Sequence, residues 1–108
     1  MRVKKGIFKV NTTHGWKERE GSYCHCFPFS IHKEKGRSYW TITHMATGMA
    51  AIHRVSKWKQ AKRAAEALRK YPVFLMPDLE SWNKALDRMK IQEPVAYDIM
   101  MGLIRKTQ

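Results

Sequence analysis

Apolar and polar positions alternate through the first half of the chain and change to a helical spacing in the second. Residues 3–10, with Val3, Ile7, Phe8 and Val10 among lysines, predict a first strand. Residues 11–21 hold Asn11, Gly15 and Gly21 among polar side chains and predict a loop. Residues 22–32 predict a second strand. Alternation puts Tyr23, His25, Phe27, Phe29 and Ile31 on one face, and Cys24, Cys26, Pro28, Ser30 and His32 on the other. Pro28 cannot donate to a ladder, so this strand must lie at an edge or bulge there. A charged turn over 33–37 leads to residues 38–45, the richest β-formers in the chain. Trp40 and Ile42 form its core face, and Tyr39, Thr41 and Thr43 face outward. Residues 46–48 make a tight connection in which Gly48 is free to take positive φ. Residues 49–55 return as a fourth strand, with Met49, Ala51 and Val55 inward and Arg54 outward.

From residue 57 the period changes. Ser56 is an N-cap candidate. Trp58, Ala61, Ala64, Ala65, Leu68 and Tyr71 make one helical stripe that Pro72 stops. The alanines imply close approach to a sheet. Val73–Met76 is an apolar connector. Asp78 caps a second helix with the stripe Leu79, Trp82, Leu86 and Met89, and Pro94 opens a third with Val95, Ile99 and Leu103 inward. The expectation is one α+β domain over residues 1–108: a four-stranded antiparallel sheet within 3–55, an amphipathic helix over 57–71 and a helical tail over 78–106.

The order of four strands running into one helix resembles the repeat unit of the PC4/Whirly family of single-stranded DNA-binding proteins. The stretch Tyr39-Trp40-Thr41-Ile42-Thr43-His44-Met45-Ala46-Thr47-Gly48, a short strand and a Lys- and Ala-rich helix from Ser56 to Tyr71 also resemble small phage-encoded proteins of that kind. The resemblance covers about residues 3–71. It implies a curved sheet that grips single strands, no catalysis, and often a homodimer.

Charge gives this expectation an independent basis. The formal net charge is +12, and residues 1–63 carry 14 Lys+Arg against Glu18, Glu20 and Glu34, a net +11. Residues 64–108 are nearly balanced, at +1. Unpaired cations on a compact surface repel one another, and a polyanionic partner relieves that repulsion. The one strongly basic helix opposes its cations with alanine rather than bulky apolar residues, so a membrane surface is disfavoured. No apolar run approaches the roughly 20 residues of a membrane span. No apolar leader follows the basic N-terminus, and two cysteines cannot staple a secreted mini-domain. A cytoplasmic location is the expectation.

Three groups of residues suit an anionic strand. Lys57, Lys59, Lys62 and Arg63 crowd the start of the first helix, where free N–H groups and cations together make a phosphate site. Tyr39, with Thr41 beside it, faces outward among Lys33, Lys35, Arg37 and Arg54, and an exposed ring among cations suits base stacking. Trp16 is a second stacking candidate, and Lys4, Lys5 and Lys9 add charge on the first strand. The bland alternatives are a solvated helix face, an amphipathic tyrosine on a wet sheet, and an indole folded over the core edge.

Cys24-His25-Cys26 invites a zinc reading. On a strand, however, His25 points away from the thiols, and His32 lies about 20 Å from Cys26 along an extended chain. We expect no metal or cofactor. A metal-dependent nuclease needs clustered carboxylates that the basic half lacks. A metal-independent ribonuclease could use His44, His53, Arg54 and Tyr39 as neighbours across the last hairpin. The sequence therefore favours a non-catalytic nucleic-acid-binding module, for single-stranded DNA or RNA over duplex. The alternatives are a small mobile-element inhibitor of a host nucleic-acid enzyme, such as an anti-CRISPR protein, and the ribonuclease.

Overall fold

The computed structural model describes residues 2–107. Five antiparallel strands in the order β1-β2-β3-β4-β5 form a single sheet: β1 (Lys4–Thr12), β2 (Gly15–Cys26), β3 (Phe29–Glu34), β4 (Trp40–His44) and β5 (Ala50–Val55). Three helices follow, α1 (Trp58–Leu68), α2 (Leu79–Gln92) and α3 (Pro94–Thr107), with a 3-10 turn over Pro72–Leu75 between the first two. The α+β class is as expected, but the sheet has five strands where four were expected.

The extra strand comes from the division of residues 22–32 at Phe27-Pro28, and the first piece reaches back through residues 15–21, expected as loop. Here Lys17-Glu18-Arg19-Glu20 pairs with β1 in a continuous register, Lys9 opposite Glu18 and Phe8 opposite Arg19. Its side chains carry no hydrophobic alternation, so cross-strand pairing and not patterning makes it a strand. Gly15, at φ +93°, closes the hairpin. The Thr12 hydroxyl donates to the Gly15 carbonyl at 2.8 Å and accepts the His14 N–H at 3.1 Å.

Residues 22–32 are not one strand. A turn at Phe27-Pro28 divides β2 from β3, and the hairpin sets Cys24 opposite Ile31 and Cys26 opposite Phe29. The turn resets the side-chain parity. Cys24 and Cys26 therefore join Phe29 and Ile31 on the buried face, whereas His25 and Phe27 are exposed and His32 takes the other face. Burial pushes the Cys26 thiol pKa up, an effect that Arg69 partly offsets. Such a thiol is a packing group rather than a nucleophile.

The last strand departs from strict alternation as well. Ile52 and Val55 are both fully buried, three residues apart, because the pairing with β4 shifts on either side of Ile42. Arg54 takes φ +55° within the irregularity, and Met49 turns outward.

The helices cover one face of the sheet. Ala61, Ala64, Ala65 and Leu68 of α1 are buried against Phe29, Ile31, Ile42, Ile52 and Val55, with Phe74, Trp82, Met89 and Met100 completing the core. Small alanines let the α1 backbone approach the strands closely. The helix is shorter than expected, and its N-cap is Lys57, which makes no side-chain cap bond. The Ser56 hydroxyl reaches Gln60 at 3.2 Å instead. Asp78 does cap α2, accepting the Ser81 N–H at 2.7 Å. In α3 the inward residue is Met100, flanked by Ala96, Tyr97, Leu103 and Ile104. Val95 and Ile99, expected inward, lie on the opposite side, because α3 packs on α1 and α2 through its other face. No helix among the described residues is long and apolar enough to cross a membrane.

Candidate nucleic-acid interface

The helix-free face of the sheet is concave. Gly6 and Gly21 stand opposite each other in the β1–β2 ladder. A Cβ at Gly21 would run into the Lys33 carbonyl oxygen, so only glycine permits this close approach. The hairpin folds over the open face and reaches the β4–β5 turn. There the Asn11 N–H donates to the Gly48 carbonyl at 3.2 Å, and the Asn11 side-chain amide donates to the Thr47 carbonyl at 3.0 Å. Trp16 lays its indole on Gly48, where any Cβ would collide with it. Gly48 needs glycine on a second count, its φ of +70°.

A groove of about 310 Å³ results between hairpin and sheet. Phe8, Arg19, His32, Glu34, Arg37, Tyr39, Thr41, Thr43 and His53 line it, with the Asn11 and Gly48 clasp at one end. Alternation on β4 puts Tyr39, Thr41 and Thr43 here while Trp40 and Ile42 enter the core. His32 forms the floor. It is buried, its ring 4.5 Å from that of Phe8 and its Nε2 2.6 Å from the Thr43 hydroxyl. Desolvation, with a contribution from His53, pushes its pKa down to about 4. The floor is therefore neutral at pH 7, and the rim supplies the charge.

Arg37 and Glu34 also belong to a second depression, which Lys5, Ser22, Lys33, Lys35 and Glu20 line. Only Glu34 and Arg37 are common to both, and alternation puts Lys5, Ser22 and Lys33 on the opposite face of the sheet from the groove. In the groove Arg19 and Arg37 meet one acid, Glu34; in the second depression Lys5, Lys33 and Lys35 join Arg37 beside Glu20 and Glu34. Glu34 lies 3.6 Å from Arg19 and Glu20 lies 3.9 Å from Lys35. All four side chains are well exposed, so these pairs are weak and separable.

The remaining expected site residues fall elsewhere. Lys4 and Lys9 are exposed on β1, the sheet's edge strand. Arg54 is exposed at the β5 irregularity. Trp16 is 52% exposed, so the clasp on Gly48 uses only part of its ring. Lys33 also sets its ammonium 5.2 Å over the Trp40 ring. Lys57, Lys59, Lys62 and Arg63 ride on α1, across the sheet from the groove, and Lys62 lies 4.0 Å from Glu66. The expected residues therefore do not form one patch.

Of the groove residues, Arg37, Tyr39 and Thr41 were expected in a binding site, whereas Phe8, Arg19 and His32 were missed and His53 was considered only for a ribonuclease. Arg19 was hidden in the supposed loop, and His32 was assigned to the cysteine face. The ribonuclease grouping assembles only in part. His44 is fully buried among the core aromatics, its Nε2 donating to the Phe74 carbonyl at 2.6 Å and its Nδ1 2.9 Å from the Thr47 hydroxyl. Tyr39 and His53 line the groove instead. No cluster of three or more metal-ligating side chains exists among the described residues. Comparison with protein-family models, curated proteins and solved structures gives no match.

Proposed function

We propose that the chain is a non-catalytic nucleic-acid-binding protein that seats a single strand of DNA or RNA along the concave, helix-free face. The observation that carries this reading is the groove itself: a Tyr39 and Phe8 lining, a neutral His32 floor and an Arg19–Arg37 rim. Aromatic faces accept bases without regard to sequence, and flanking cations take phosphates. Its volume of about 310 Å³ suits an unstacked planar group. The α1 cations are a second patch that a longer strand reaches around the edge of the sheet.

The testing experiment uses Tyr39→Ala and Arg37→Ala. Each should keep the far-ultraviolet spectrum and melting temperature of the parent. Tyr39→Ala should weaken single-strand binding by about 1–3 kcal/mol if one base stacks on the ring. Folded variants that bind like the parent would exclude the groove.

A further inference from the structure

β1 stands at one edge of the sheet, and its outer side presents backbone groups without partners. Successive residues of a strand direct their N–H and C=O groups to opposite sides. The Asn11 N–H turns away from β2 to reach the Gly48 carbonyl. By alternation the N–H and C=O groups of Lys5, Ile7 and Lys9 turn the same way, and among the described residues no backbone group meets them there. The three side chains share one face of the strand, and all three are exposed. A cleft of about 520 Å³ lies beside this edge, lined by Ile7 and Lys9 and by Tyr23, His25, Ser30 and Met45 of the sheet.

We propose that the β1 edge takes an extended acidic segment of another protein as a further strand, antiparallel to β1. Another peptide backbone matches the alternating donors and acceptors of the edge, whereas a row of phosphates offers acceptors alone and leaves the carbonyls unmet. Charge selects an acidic segment. In antiparallel pairing the residues opposite Lys5 and Lys9 share their face, with Cα atoms about 5.5 Å away. Neither lysine has an ion-pair partner among the described residues. Glu18 and Glu20 stand on β2, opposite Lys9 and Ile7, and so lie one strand further from the newcomer. A second copy of this chain is disfavoured, because antiparallel pairing about Ile7 sets Lys5 of each copy opposite Lys9 of the other. The alternate residues of the segment turn to the cleft, where Tyr23 and Met45 favour apolar side chains.

The probe is a short, capped, dye-labelled peptide of alternating glutamate and valine, titrated against the full chain by fluorescence polarisation without nucleic acid. Glutamates opposite Lys5, Ile7 and Lys9 direct their N–H groups to β1, and the valines direct theirs away. N-methylation of the glutamates should therefore weaken binding by about tenfold or more, and N-methylation of the valines should not. Lys5→Glu/Lys9→Glu should weaken binding of the glutamate peptide by about tenfold or more and should bind its lysine–valine counterpart. Both positions are exposed, so circular dichroism should match the parent. Absence of saturable binding, equal loss from the two N-methylated peptides, or a charge reversal without effect overturns the proposal. So does a single-stranded oligonucleotide that protects the Ile7 and Lys9 amides from hydrogen exchange as the peptide does. The peptide titration contains no nucleic acid, so its failure leaves the reading of the groove standing.

Discussion

His32 shows how one residue ties the groove to stability. It is 8% exposed, and desolvation together with His53 holds its pKa near 4. The folded protein refuses a proton that the unfolded chain takes up near pH 6.5. Its contribution to stability is therefore whole above about pH 6.5, declines as pH falls towards 4, and is gone below that, a loss of about 3 kcal/mol. Urea unfolding at pH 7, 5.5 and 4.5 should show the parent losing stability faster than His32→Gln, which keeps a hydrogen-bonding partner for Thr43 without titrating. Parallel curves would mean that water reaches the ring freely. The placement of His32 was not legible in the sequence, because face assignment by alternation fails across an unrecognised turn. Phe27-Pro28 reversed the parity of every residue before it relative to those after. In β4, whose own alternation survives the shifted pairing with β5, the division of Tyr39 and Thr41 from Trp40 and Ile42 was legible.

At the scale of elements, α1 was readable because six apolar positions repeat at helical spacing and proline ends the pattern. Asp78 was readable as a cap because its effect is local. The β1–β2 hairpin was not readable: its second strand is charged, and it is held by pairing to β1 and by clearance at Gly21 and Gly48. The outward side of α3 was misassigned because Val95 and Ile99 are as apolar as the residues it buries. The start of α1 carries a testable conflict. Lys57 occupies the N-cap without a cap bond, and no acid stands in the first turn. Lys57→Asp should stabilise the fold by about 0.5–2 kcal/mol through capping. Lys59→Glu should add about 0.3–1 kcal/mol at low salt by facing the helix dipole with an anion. Because α1 lies across the sheet from the groove, both should weaken strand binding less than Arg37→Glu does. Melting temperatures and binding constants on the same samples decide this. If Lys59→Glu binds as poorly as Arg37→Glu, the helix start belongs to the primary interface.

At the scale of the molecule, charge and curvature come together. The helices neutralise one face of the sheet by burying it, and the β1–β2 hairpin turns the other face into a groove. Arg19 and Arg37 line the groove, and its one acid, Glu34, is held only in an exposed pair. The excess of positive charge in residues 1–63 was plain from composition, but its division between two faces required the fold. The measurement that tests the central claim most directly is a titration of the chain with single-stranded DNA, single-stranded RNA and duplex DNA of equal length across a series of salt concentrations. With about five phosphates engaged on a single strand, the slope of log binding constant against log salt should be near −3.5, from about −0.7 per phosphate. Single strands should bind more tightly than the duplex at every salt. A flat salt response, absence of binding at low salt, or preference for the duplex would contradict the account.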